Sequence, residues 1–233
     1  MGRLHDIRAT LRVNHLLAWA TALAGALAVL GVLYFFAAVS VGEFLRPMYD
    51  PVTRTISELA VGRNGWLQVS AFVALGLSLW ALPAGMWRRV RATVVSRLGL
   101  LLLLACGTSS FVAAAFPTDL RGAVVATLSG DIHEVAASVG YACLITAMLL
   151  FSWHFRRDHP WRHLHPVTTG LTFAGLGLLI AMAVTGQSDL AGLLQRTMAA
   201  TLLAWVALAG VQAGRLSLVA LAARPERAGR RTD

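Results

Sequence analysis

The chain has 233 residues, of which 57 % are hydrophobic and 13 % are charged, and its formal net charge is +9. This composition excludes an ordinary soluble domain, which could not bury so much apolar sequence, and indicates a membrane protein. With two cysteines in 233 residues, a disulfide-stapled fold is also excluded.

Six apolar stretches follow one another along the chain, and each is long enough to cross a hydrocarbon core at about 1.5 Å per residue. Because a backbone in lipid must satisfy its own hydrogen bonds, we predict helices and an all-α, six-helix transmembrane bundle. Residues 1–222 are expected to form one domain, followed by a basic, disordered tail at 223–233. The predicted helices are Leu16–Val41, Trp66–Trp87, Leu98–Phe116, Val135–Phe155, Val167–Thr185 and Leu190–Leu221.

Charge alternates between the connections of these helices. All 20 basic residues are Arg, and 15 of them lie on the side that holds both termini, whereas seven of the 11 acids lie on the other side. The positive-inside rule therefore predicts a plasma-membrane protein with both termini in the cytoplasm. The absence of Lys is typical of a GC-rich genome and indicates a bacterial source.

The sequence pI near 11.3 raises the alternative of nucleic-acid binding. The Arg residues are spread over short connections beside the membrane, a pattern that favours anionic lipid headgroups at the cytoplasmic face as the partner. No nucleic-acid partner is expected, and the oligomeric state stays open. Gly210 and Gly214 form a GxxxG pattern, for which packing within one bundle is favoured over a dimer interface.

Polar residues whose side chains could take part in catalysis or binding lie in the predicted outward connections. Tyr49 and Asp50 precede a turn in the first one, and Thr55-x-x-Glu58 is a capping-box pattern that predicts a short helix containing Ser57. Helix capping alone would also explain Glu58.

The second outward connection contains Asp119 and then Asp131-Ile132-His133-Glu134. Asp131 and Glu134 have the spacing of an N-cap and an N3 residue, which predicts the start of the fourth helix there. His133 is the only histidine on this side, so it is either a structural hydrogen-bond donor or a proton carrier or ligand.

Gln195 and Arg196 lie in the first turns of the predicted last helix. An Arg at that depth either extends its side chain back to water or has an acidic partner, and the candidates are Glu58, Asp119 and Glu134.

No metal or cofactor motif is recognised. The cytoplasmic run of His154, His159, His163 and His165 matches no ligand spacing, and a solvated loop is expected there. Cys106 and Cys143 fall inside predicted helices and read as packing residues.

A family resemblance rests on four short segments. Tyr49-Asp50-Pro51 with Ile56-Ser57-Glu58-Leu59, Phe116-Pro117-Thr118-Asp119, His133-Glu134 and Gln195-Arg196 resemble the bacterial and archaeal membrane family called domain of unknown function 998. The likeness covers roughly residues 15–220 and implies six membrane helices with no established activity. The His that begins a helix after an acidic loop is also similar to the Frag1/DRAM/Sfk1 membrane family.

Three functions remain open at this point. The first is a hydrolase or transferase for lipid or envelope intermediates at the outer leaflet, with candidate catalytic residues Ser57, Glu58, Asp119, His133 and Glu134. Its candidate substrate-binding residues are Tyr49, Asp50, Gln195 and Arg196. The second is a transporter, channel or sensor that uses the same polar cluster, and the third is a non-catalytic membrane scaffold. Intramembrane ceramidase-like hydrolases are similar in having Ser, Asp and His near one face, but their zinc needs several His residues there.

Overall fold

The protein is an all-α bundle over the residues described by the computed structural model, which are 2–186 and 188–222, with side chains from residue 13 onward. The tail predicted at 223–233 lies outside the described residues. Within them, six helices are long and apolar enough to cross a membrane, as the sequence predicts. They are α1 (Gly2–Phe44), α2 (Gly65–Met86), α3 (Val94–Ala115), α4 (Leu128–Phe155), α5 (His165–Thr185) and α6 (Ala191–Ala222).

The fourth helix begins earlier than the sequence pattern suggests. Thr127 is its N-cap, and its hydroxyl accepts a hydrogen bond from the N–H of Gly130 at 3.0 Å. The prediction that Asp131 caps this helix was therefore wrong. The helix begins at Leu128, so Asp131 and Glu134 lie within its first two turns.

The helices pack in a ring in which α1 contacts α2 and α6, α3 lies between α2 and α4, and α5 contacts α4 and α6. The backbones of α1 and α6 approach closely. A Cβ added to Gly25 would lie 2.6 Å from the carbonyl oxygen of Gly210 and 2.8 Å from the nitrogen of Gly214. The GxxxG pattern thus packs inside one bundle, where backbones meet without side chains between them.

Two ends of the bundle are defined by their connections. At the end opposite the chain termini, here called the distal end, Arg121 donates to the carbonyl oxygens of Thr53 at 3.2 Å and Ser188 at 3.1 Å. Arg121 also pairs with Asp189 at 3.1 Å. One guanidinium group therefore joins the α1–α2, α3–α4 and α5–α6 connections.

The opposite end, here called the terminal end, is closed by a buried polar pair. Asp158 accepts a hydrogen bond from the N–H of Arg91 at 2.8 Å and contacts His154 Nε2 at 3.1 Å. His154 is 7 % exposed and Asp158 is 4 % exposed. The expectation of a solvated position was wrong for His154, because α4 extends through it and turns it into the protein.

Large side chains fill the half of the bundle nearest the terminal end. Phe151, Phe155, Trp161 and Trp205 are each at most 1 % exposed. The rings of Phe155 and Trp161 stack with centroids 4.9 Å apart, and the Trp161 indole donates to the carbonyl of Arg89 at 2.8 Å. This half of the interior is close-packed, and the open space lies nearer the distal end.

Candidate active site beneath the first connection

The α1–α2 connection folds back over the distal end as a short 3₁₀ helix, Ile56–Ala60. As the capping-box pattern predicts, the Glu58 carboxylate accepts from the N–H of Thr55 at 3.1 Å. All five residues of this short helix are buried. The connection therefore covers the bundle and carries Ser57 inward.

Ser57 meets His133 at the inner surface of this cover. The distance from His133 Nε2 to Ser57 Oγ is 3.0 Å, although the two residues are 76 positions apart in the chain. Ser57 is 8 % exposed and His133 is 3 % exposed. The ring of Phe72 packs against the imidazole with centroids 5.8 Å apart.

Two backbone carbonyls orient the imidazole of His133. Its Nδ1 lies 3.1 Å from the oxygen of Ala113 and 2.8 Å from that of Phe116. Inside α3 the Ala113 oxygen would bond the N–H of residue 117, but Pro117 has none, so this acceptor is left for the histidine. Because both neighbours of Nδ1 accept, Nδ1 carries the proton and Nε2 presents a lone pair to Ser57.

The pair lies at the distal end of a largely apolar cavity. Its volume is about 80 Å³, and α1, α2, α3, α4 and α6 contribute to its walls. Phe72, Leu79, Leu144 and Leu203 are among the lining residues, and Tyr141 adds a hydroxyl. A buried serine hydroxyl, an imidazole in contact with it and an apolar cavity beside them make this the candidate site for an apolar ligand.

Arg196 binds beside this pair and not within it. Its Nε and Nη2 donate to Glu43 Oε1 at 2.9 and 2.7 Å, and Nη2 also donates to the Tyr49 hydroxyl at 2.7 Å. Its Nη1 donates to the carbonyls of Arg54 at 2.8 Å and Gly192 at 3.1 Å. The predicted partners Glu58, Asp119 and Glu134 were wrong, because α1 extends to Phe44 and brings Glu43 to the guanidinium.

Three other predicted binding residues hold the backbone of the first connection. The Gln195 amide oxygen accepts from the N–H of Ile56 at 2.6 Å, and its side chain also interacts with the Tyr141 hydroxyl. The Tyr49 hydroxyl contacts the carbonyl of Arg54 at 3.2 Å, and burial raises the pKa of this phenol. Asp50 is exposed, and its pKa is lowered by hydrogen bonds from the Val52 N–H and the Thr53 hydroxyl.

The comparisons with known proteins agree with the resemblance seen in the sequence. The model of the family described as "Protein of unknown function (DUF998)" matches residues 29–212. The chain belongs to the DUF998 family. No curated protein and no solved structure matches it. The region that matches the DUF998 model contains Ser57, His133 and Arg196, so the geometry above lies within the family's own domain.

One residue that holds this site together, Arg46, was not predicted from the sequence. The guanidinium of Arg46 donates to the carbonyl oxygens of Glu58 at 3.0 Å, Leu59 at 2.9 Å and Arg63 at 3.0 Å, and it also bonds that of Val61. It thereby binds the carbonyl end of the short helix. In the sequence, an Arg in a loop with no such predicted partner would be interpreted as a solvated charge. Its carbonyl acceptors come together only when the connection folds.

Two predicted catalytic residues lie apart from Ser57 and His133. Asp119 accepts from the N–H and the hydroxyl of Thr127, both at 2.8 Å, and these bonds lower its pKa. Glu134 is exposed at the bundle surface, one position along α4 from the buried His133.

The predicted catalytic residue Glu58 is engaged in an ion pair. It is 3 % exposed and pairs with Arg54 at 3.0 Å. Among the described residues, no three His, Cys, Asp or Glu side chains lie together as a metal site requires.

Gln68 is a further residue that the sequence did not single out. It is 1 % exposed, and among the described residues its Nε2 and Oε1 are the buried side-chain atoms without a hydrogen-bond partner. Gln68 lies four residues before Phe72 on α2, and therefore one turn beyond the part of the helix that lines the cavity with Phe72, Leu75 and Leu79. A buried amide without a partner is costly to stability, and such groups are commonly retained for binding.

Proposed function

We propose that this protein is a membrane-embedded acyl hydrolase or acyltransferase for lipid or envelope intermediates at the outer leaflet. Ser57 is the nucleophile and His133 the general base. The contact of His133 Nε2 with Ser57 Oγ at 3.0 Å, with Nδ1 facing two carbonyl oxygens, carries this proposal. Nucleophile, base and orienting acceptor in this order are the parts that serine-dependent acyl transfer needs.

The chemistry follows from these positions. Ser57 Oγ bonds to the carbonyl carbon of an ester while its proton passes to His133 Nε2. The ester C–O bond breaks, and the proton on Nε2 moves to the leaving alcohol oxygen. Water or a second alcohol then gives a proton to Nε2 and attacks the acyl-serine, which releases the acyl group and restores the Ser57 hydroxyl.

The surroundings suit an acyl substrate. The apolar cavity next to Ser57 would hold the chain carbons nearest the ester. The amide of Gln68, one turn of α2 from the Phe72 ring that packs on His133, would donate to the carbonyl oxygen as negative charge develops on it. Arg196 has all five of its N–H groups directed at protein acceptors, so on this proposal it positions the connection and does not bind the substrate.

Orientation and location are part of the proposal. The distal end faces outward and both termini are cytoplasmic, because 15 of the 20 Arg residues belong to the terminal side. A bacterial plasma membrane would then expose the site to outer-leaflet lipids. The close packing of Phe151, Phe155 and Trp205 favours an enzyme over a channel, because it separates the cavity from the terminal end.

A fluorophosphonate that reacts with activated serines tests the proposed function in native membranes. The parent protein should be labelled at Ser57. Ser57→Ala should abolish labelling, and His133→Gln should slow it by about 10²–10⁴-fold, since the amide can hydrogen-bond but cannot act as a base. Ser110→Ala is the matched control, because Ser110 lines the same cavity but bonds only the carbonyl of Cys106.

Label that remains on the Ser57→Ala variant, or an equal labelling rate in His133→Gln and the parent, would exclude the proposed dyad. An impermeant maleimide added to intact cells tests the orientation separately, on a variant in which Asp50→Cys at the exposed distal end supplies the single cysteine. Labelling from outside is expected, and labelling only after cell lysis would reverse the topology.

A further inference from the structure

The cavity at Ser57 is covered on its distal side. The short helix Ile56–Ala60 lies over it, Arg46 binds the carbonyl end of this helix, and Gln195 binds its first N–H. Ser57 and His133 are both under 9 % exposed as a result. A substrate arriving from water would have to displace this cover together with its hydrogen bonds.

A groove lies on the side of the bundle. It runs between α3 and α4 on the outer surface of the helices, and its walls include Val112, Val135 and Val139. Val135 is 63 % exposed and Val139 is 47 % exposed. In a membrane, an exposed apolar groove of this kind would be filled by hydrocarbon chains.

Only small side chains separate the groove from the cavity. Ser109 and Ala136 line both spaces, so the wall between them is a single layer of side chains. Next to this wall, a Cβ added to Gly140 would lie 3.3 Å from that of Ser109, which shows how closely α3 and α4 approach without larger residues. Rotation of the Ser109 side chain or a small separation of α3 and α4 would join the two spaces.

Charge at the distal end of the groove bears on the headgroup. Asp131 lines the groove there and is exposed. The Asp131 carboxylate at this rim favours a headgroup that carries an amine and disfavours a headgroup with a net negative charge.

We propose that the α3–α4 groove is the lateral access route by which one acyl chain of an amine-headgroup phospholipid passes from the outer leaflet into the cavity. This inference rests on the proposed function of Ser57 and His133, and it names the substrate class. The carboxyl ester of such a lipid lies at the boundary between the headgroup and the chains, the depth at which the groove meets the dyad.

Photocrosslinking tests the route without depending on catalysis. The full chain is placed in bilayers that contain phosphatidylethanolamine with a diazirine on one acyl chain, and crosslinked peptides are identified by mass spectrometry. Crosslinks are expected at Val139 in the groove and at Leu144 in the cavity. Ser57→Ala should retain both, because the route precedes the chemistry.

Two variants should block the route. Ala136→Phe places a large ring in the layer between the groove and the cavity. Val139→Trp fills the groove itself, at an exposed position where a larger side chain should not prevent folding. Each should lower crosslinking at Leu144 at least fivefold. Val211→Phe is the matched control on α6, where Val211 is 58 % exposed and outside the groove, and it should leave crosslinking unchanged.

Unchanged crosslinking at Leu144 in Val139→Trp would overturn the lateral route, as would crosslinks spread evenly over the bundle surface. Crosslinking at Leu144 together with a Ser57 that never reacts with fluorophosphonate would instead refute the proposed chemistry alone. Competition by unlabelled phosphatidylethanolamine should exceed that by phosphatidylglycerol at least threefold, and Asp131→Asn should reduce this preference. Equal competition would overturn the headgroup assignment.

Discussion

Arg196 is expected to be the main electrostatic tie between the last helix and the first connection. The change Arg196→Ala removes all five of its hydrogen bonds, two of which go to one oxygen of Glu43. It leaves the Glu43 carboxylate without its cation and the Arg54 carbonyl without this donor.

The size of the effect follows from burial. The side chain of Arg196 is 18 % exposed and that of Glu43 is 28 % exposed. An exposed ion pair contributes at most about 1 kcal/mol, whereas breaking a buried one costs about 3–5 kcal/mol. For this half-buried pair with additional carbonyl acceptors, we expect Arg196→Ala to lower the free energy of unfolding by about 3 kcal/mol. Arg196→Lys should recover only part of it, because an ammonium cannot reproduce the planar fork.

A double-mutant cycle with Glu43→Gln measures the pair directly. Unfolding by sodium dodecyl sulfate in mixed micelles, followed by tryptophan fluorescence, should give a coupling of about 1–2 kcal/mol between Arg196 and Glu43. Coupling to Glu134→Gln should stay below about 0.5 kcal/mol, since Glu134 lies elsewhere. Arg63→Ala is the matched control at an exposed position. A loss under about 1 kcal/mol for Arg196→Ala, or no coupling to Glu43, would refute this reasoning.

Five further substitutions are expected to change the free energy of unfolding in different directions in the same assay. Gly25→Ala should cost about 1–3 kcal/mol by forcing α1 from α6, whereas Gly170→Ala, with nothing within 4 Å, should be neutral or stabilising. Asp158→Ala should cost about 2–4 kcal/mol because it leaves the buried imidazole of His154 and the N–H of Arg91 without their acceptor, and Asp50→Ala at the surface should cost far less. Gln68→Leu should raise stability by about 1 kcal/mol yet slow fluorophosphonate labelling at least tenfold; lower stability would show that the amide has a partner.

The sequence predicts the membrane helices well because each is set by length and apolar content, which act locally. Their ends are less predictable. The acidic pair at 131 and 134 imitates a helix start, yet the chain is already helical from Leu128 because Thr127 supplies the cap. In the same way, the predicted first helix ends at Val41 and leaves Glu43 in a loop. In the structure α1 continues to Phe44, and Glu43 is therefore the acid that pairs with Arg196.

The site shows a similar division. The predicted membrane depth correctly places Ser57 and His133 at the same end of the bundle. Adjacent positions on a helix differ in direction by about 100°, so depth alone does not tell that His133 faces the interior while Glu134 faces outward. Arg46 and Gln68 were missed for a different reason. Their roles depend on carbonyl groups and empty space created by other parts of the fold. Pro117 was the one local signal that could have been used, since it frees the Ala113 carbonyl for His133.

The fastening of the first connection by the last helix also bears on how the protein is made. Glu43 and Arg196 are 153 positions apart, and Ile56 and Gln195 are 139 apart. A ribosome releases the short helix that carries Ser57 long before α6 enters the membrane. Until then the early segment lacks its hydrogen bonds to α6, so the contact of Ser57 with His133 is secured only when synthesis is nearly over. Chains that stop before α6 should therefore present this segment to proteases.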